Sequence, residues 1–198
     1  MRTVTGLFDD YADARSAVNE LESAGIPSDD ISIVSNNGRD RDTSGAAEGA
    51  GTGAGIGAAV GGAGGLLAGL GLLAIPGVGP VVAAGWLAAT AAGAAAGAVA
   101  GGVTGGLIGA LTSSGVSEED AHLYAEGVRR GGTLVTARVE EGRVAEAEAI
   151  LQRSNWVDPT ERRRAYMEEG WTRFDDSLDP YSPEQIEQER NRYRRNAL

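Results

Sequence analysis

The single histidine of the chain, His122, stands one helical turn from Glu118 in an acidic run, Glu118-Glu119-Asp120. One imidazole with flexible carboxylates is a poor metal set, because a closed site takes about four ligands in fixed geometry. The spacing predicts a surface histidine whose pKa the nearby acids raise. Further on, Arg129-Arg130-Gly131-Gly132 sets two guanidinium groups beside glycine backbone N–H groups. Such a group can hold an anion or a lipid headgroup by charge-assisted hydrogen bonds. It also reads as a helix end, with arginines complementing the dipole and glycines stopping the helix. Gly69-Leu70-Gly71-Leu72-Leu73-Ala74 fits the dinucleotide pattern G-x-G-x-x-A. It follows no credible strand, and no acid lies near position 90 to take a ribose, so no nucleotide is expected. Acid pairs such as Asp9-Asp10 and Glu168-Glu169 are ordinary on an acidic surface. No catalytic residue, metal ligand or cofactor site is assigned, and a non-enzymatic protein is expected.

Composition closes further routes. The 198 residues carry 17 basic side chains, all arginine, against 28 acidic ones, a net charge of −11. A general nucleic-acid binder needs a basic surface, so nucleic acid is excluded as a partner. With no cysteine there are no disulfides, thiolate metal sites or cysteine nucleophiles. With no lysine there is no Walker A phosphate loop.

The elements that must position these residues follow from pattern. Thr3 to Phe8 suits a strand. Asp9 and Asp10 start a helix whose Ala14, Ala17, Val18 and Leu21 recur at i, i+3, i+4 and i+7. Gly25 and Pro27 end it, and Ile31 to Val34 is a second strand. Ser117 caps a helix with an acidic first turn and an apolar face of Ala121, Tyr124, Ala125 and Val128. Thr133 to Val139 is a third strand, Val144 to Leu151 a helix, and Asn155-Trp156-Val157 a short last strand. Ser182-Pro183-Glu184 starts a tail helix with i,i+3 and i,i+4 Glu–Arg pairs; Trp171, Phe174 and Tyr181 suggest that the tail docks. The expected class is α+β, a ferredoxin-like split βαβ sandwich. Residues 1–48 and 118–158 supply its halves, 49–117 an inserted helical hairpin, and 159–198 a charged helical tail.

Residues 49–117 carry no charge and hold 22 of the 31 glycines. Pro76, Gly77, Gly79 and Pro80 break this block into two arms, 53–75 and 81–111. As a helix the first arm is roughly 34 Å long, enough for a hydrocarbon core of about 30 Å. Gly53, Gly57, Gly61, Gly65 and Gly69 are spaced by four, as are Gly85, Ala89, Gly93, Gly97, Gly101, Gly105 and Gly109. Small residues at that spacing let helices approach closely in lipid, although the row drifts about 40° per step. Arg39, Arg41, Arg129 and Arg130 flank the block, which places both termini in the cytoplasm. Met1-Arg2 runs straight into a strand, so no signal peptide is read there.

Several stretches carry a resemblance. They are Gly6-Leu7-Phe8-Asp9, Ala24-Gly25-Ile26-Pro27 with Asp30-Ile31-Ser32, the turn Ala74 to Pro80, and Glu118 to Val135. Over roughly residues 3–155 the chain resembles bacterial general stress proteins with a heat-induced YflT-type domain. The resemblance implies a stress-associated protein with a Gly/Ala-rich, membrane-like hairpin, and it supplies no catalytic residues. The expectation is therefore a bacterial stress-response protein held in the inner membrane, with lipid as partner, by a glycine-zipper hairpin that self-associates. The alternatives are a soluble, cytoplasmic homo-oligomer with the hairpins as assembly core, and a small-anion sensor at Arg129 and Arg130.

Overall fold

In the computed structural model, residues 1–36, 71–75, 78–90 and 106–196 are described. β1 (Arg2–Phe8), α1 (Tyr11–Ser23) and β2 (Ile31–Ser35) follow in order. Ala14, Ala17, Val18 and Leu21 are all buried on α1, as their spacing requires. Ile26 N–H reaches back to the Leu21 carbonyl at 3.1 Å and closes the helix end. The Ser117 hydroxyl accepts the Asp120 N–H at the start of an α-helix spanning Glu118–Arg129. The strand Thr133–Val139 and the helix Val144–Arg153 lie where pattern placed them.

The uncharged block departs from the expected pair of helices. On either side of the predicted break the chain is extended, as β3 (Gly71–Ile75) and β4 (Gly79–Gly85), which pair antiparallel. Gly79 and Pro80, expected in the turn between two helices, lie in β4 itself, paired with Ile75 and Ala74. Glycine disfavours helix in water by about 1 kcal/mol per residue relative to alanine, whereas β4 finds backbone partners along β2, from Ser32↔Gly85 to Ser35↔Val82. Gly85 then turns the chain at φ +89°. A helical turn follows, Leu87 N–H bonds the Ser32 hydroxyl at 2.8 Å, and Trp86 donates to the Asp30 carbonyl at 3.1 Å. α2 (Leu107–Ser113) precedes α3, the Glu118–Arg129 helix.

Of the glycines expected at a helix-packing face, Gly85 ends β4 and Gly109 lies in α2. Gly53, Gly57, Gly61, Gly65, Gly69, Gly93, Gly97, Gly101 and Gly105 lie outside the described residues, as do Pro76 and Gly77. No helix among the described residues is long and apolar enough to cross a membrane. The seven residues of α2 span about 10 Å. The membrane-spanning hairpin is thus without support in this part of the chain.

The remaining elements are β5 (Thr133–Val139), α4 (Val144–Arg153), α5 (Pro159–Glu168) and α6 (Pro183–Asn196). The five strands of the described residues form one antiparallel sheet in the order β1-β5-β2-β4-β3. β5 lies between β1 and β2 and is antiparallel to both. Outside β1, the short strand expected at 155–157 is a single antiparallel bridge, Leu7↔Val157.

Successive strand residues point to opposite faces, and both faces are covered. Phe8, Ile33 and Val135 join α1 and α4 in one core, with Leu21 and Leu151. Leu7, Val34 and Leu134 join α2 and α3 in the other, with Leu111 and Val128. Full burial of such a side chain contributes about 1.5–3 kcal/mol, so a sheet sandwiched on both faces needs apolar strands with little alternation.

Candidate functional site

Arg129 and Arg130 end α3, where the dipole favours cations. Glu126, one turn earlier and 1 % exposed, meets both. Arg129 donates from Nε and Nη2 to its two carboxylate oxygens at 2.9 and 2.6 Å, and from Nη1 to the Asp179 carbonyl at 2.9 Å. Arg130 donates from Nε to Glu126 at 2.6 Å, and from Nη1 to Glu169 at 2.6 Å and Glu189 at 3.0 Å. Arg192 joins Glu189 and Glu169 from α6. Three arginines thus face three carboxylates.

Aromatic rings complete the cluster. The Arg130 guanidinium lies 4.0 Å from the centre of the buried Tyr166 ring, and that of Arg129 lies 4.9 Å from Tyr181. Burial works against the charge of Arg130, but Glu126, Tyr166 and Glu189 outweigh it and hold its pKa above the ordinary value. Burial pushes the Tyr166 phenol up to about 12, against the pull of Arg162 and Arg130. Beside this cluster, Arg162 grips Asp9 with two bonds of 2.9 and 2.8 Å and stacks 3.7 Å from the centre of the Tyr193 ring.

The tail follows local rules. Asp158 caps α5 through the Thr160 and Glu161 N–H groups, with Pro159 in the first turn. Ser182 and Gln185 cap α6 reciprocally, Ser182 N–H giving 2.8 Å to the Gln185 amide oxygen. Gly131, at φ +96°, has Ile186 packed where a Cβ would stand, so glycine there both ends α3 and seats α6. The Arg129 carbonyl accepts from Tyr181 N–H at 3.2 Å and from the Asn36 amide at 3.1 Å. The cluster therefore joins the tail, the end of α3 and Asn36, the residue that follows β2.

The arginines expected to be open to an anion or headgroup are 7 % and 6 % exposed and already bonded to acids. An incoming anion would have to displace a carboxylate. Glu126, Glu189 and Tyr166, which complete the cluster, are not singled out by the sequence reading. The signal for Glu126 was present, because it stands at i,i+3 and i,i+4 to the two arginines. Gly71 to Ala74 of the dinucleotide-like stretch lie in β3, not in a loop opening a helix. Among the described residues no three His, Cys, Asp or Glu side chains gather to hold a metal ion.

His122 is buried at 8 % exposure, which corrects its expected place on the surface. Its Nδ1 has no hydrogen-bond partner among the described residues, and its Nε2 is 3.8 Å from Glu118. Burial first, then Arg173, lowers its pKa, and Glu118 opposes them without prevailing. Since the folded value lies below the unfolded one, the unfolded chain takes up the proton first as pH falls. Stability is then fully present above the unfolded pKa and is lost as pH falls toward the folded one. Melting temperature is expected to fall between pH 7.5 and 5.5, and less so in His122→Gln. Equal slopes in the two proteins would contradict this assignment.

Gly6-Leu7-Phe8 end β1 with Asp9 just beyond it, and Asp30 immediately precedes Ile31-Ser32 at the start of β2. Residues 3–73 match the heat-induced stress protein YflT domain. The YflT match takes in β1, α1 and β2 and ends within β3. The turn at 74–80 and the stretch 118–135, which also carried the resemblance, lie beyond it, as do the arginine clasp and the tail. No curated protein and no solved structure matches the chain.

Proposed function

We propose that this chain is a non-enzymatic stress-response protein that acts as a homo-oligomeric interaction module, assembled through its uncharged segment. The YflT match supports the stress-response role. One observation carries the assembly reading: among the described residues, the uncharged segment supplies the two strands at one edge of the sheet, β4 and then β3. The rest of the molecule is acidic, so copies repel one another except where charge is absent. The order of bridge, β1, β5 and β2 supports a ferredoxin-like core whose last strand has shrunk to Val157. The hairpin then extends that core beyond β2.

Fractionation of the native protein tests this reading against membrane anchoring. The expected result is recovery without detergent, as a particle larger than the 20.2 kDa monomer. Retention after alkaline carbonate, with release by detergent alone, would restore the membrane hairpin and remove the proposal.

A further inference from the structure

We propose that two copies of this chain join edge to edge through β3, antiparallel about a two-fold axis, so that two five-stranded sheets become one of ten strands. The inference rests on the self-association reading above and gives it a geometry.

β3 ends the sheet. Its inner edge pairs with β4 from Gly71↔Ala83 to Ile75↔Gly79, and no described strand pairs with its outer edge. A sheet edge offers a row of backbone donors and acceptors to any strand that can approach, and proteins guard such edges with charge, proline, bulges or a covering element. The two edges of this sheet differ in that respect. β1 begins with Arg2, and Val157 covers its other end, donating to the Leu7 carbonyl at 2.8 Å just ahead of Pro159. β3 reads Gly-Leu-Leu-Ala-Ile, with neither charge nor proline. The nearest charged residues along the chain are Glu48 and Glu118.

The occupant is a second copy for two reasons. A chain of net charge −11 repels its like over most of its surface, so contact between copies is least opposed where neither brings charge. A strand paired antiparallel with itself is self-complementary, which makes the interface isologous. Such a pair consumes both β3 edges and leaves the guarded β1 edges outside. The assembly therefore closes at two copies and does not grow into a fibre.

The chain has no cysteine, so single introduced cysteines report on position without background. Gly71→Cys, Leu72→Cys, Leu73→Cys, Ala74→Cys and Ile75→Cys are oxidised one at a time in the full chain. Ser23→Cys, on an exposed position of α1, serves as control. Light scattering gives the mass of the unmodified protein, and circular dichroism checks that each variant folds. The expected result is a dimer of twice 20.2 kDa, with disulfide yield peaking at one position of β3, falling to either side and absent for Ser23→Cys. A dimer or larger particle with no such peak overturns the edge pairing and leaves self-association standing. A protein that is monomeric at every concentration overturns both, as it would if residues 37–70 of the same chain covered the edge.

Discussion

Glu126→Ala is expected to lower the melting temperature by roughly 10 °C and to lift the tail from the body. Glu126 is the one carboxylate that both Arg129 and Arg130 bind. Its loss leaves two guanidinium groups in a buried place, with Glu169 and Glu189 as the carboxylates that remain near Arg130. Removing one partner of a buried ion pair costs about 3–5 kcal/mol. In a chain of this size each kcal/mol moves the midpoint by about 2–4 °C. Arg130→Met should cost less, since Glu126 keeps Arg129 and the replacement fills the space with apolar atoms. The effect specific to the clasp is exposure of Phe174, which is buried in the docked tail. Chymotrypsin should cut after Phe174 faster in Glu126→Ala than in the parent at a temperature where both remain folded. A midpoint shift below about 2 °C, or unchanged cleavage, would mean that apolar contacts such as Ile186 on Gly131 hold the tail without the charges.

Local signals were legible wherever an element's own residues decide its form. The i, i+3, i+4, i+7 spacing on α1, the Ser117 cap and the β-branched run of β5 each name their structure without reference to distant residues. The α+β class could be read for the same reason, because each helix and strand of β1, α1, β2, α3, β5 and α4 carries its own pattern. Three features could not be read, because their cause is remote in sequence. Arg162 resembles any arginine of a solvated helix until α5 brings it to Asp9 at the end of β1. His122 lies among acids in the sequence, but the fold buries it near Arg173, and burial reverses the direction of its pKa. The Gly/Ala-rich block has the length and neutrality of a membrane hairpin. Next to its break, however, the edge of β2 offers hydrogen bonds that a helix in water would not outcompete. Neutrality, which suggests lipid in the sequence, accompanies strands that lie at one edge of the sheet.

Gly85→Val tests that last step and should have the second large effect. Gly85 sits at φ +89°, and a Cβ there would run into the Ile31 carbonyl and the Ser32 backbone. These atoms belong to a strand held on its far side by β5, so they cannot retreat. A left-handed conformation forced on a β-branched residue, together with the overpacking, amounts to about 2–6 kcal/mol. The strain falls on the junction of β4 with β2, whereas the β1-β5-β2 core keeps helices on both faces. Trp86 should report the change, because it donates to the Asp30 carbonyl and carries the Arg138 guanidinium 4.9 Å from its ring centre. In a Trp156→Phe, Trp171→Phe background Trp86 is the one tryptophan left to excite selectively, and Gly85→Val is expected to shift its emission to the red while cooperative unfolding of the core persists. The proposed dimer should be lost with it, since among the described residues β3 reaches the sheet only through β4. Red-shifted emission with an intact dimer would separate the two strands' roles and place the contact between copies elsewhere than on the β3 edge. Unchanged emission would mean that the turn after β4 tolerates a side chain, and that the hairpin is not held to β2 by the register Ser32↔Gly85.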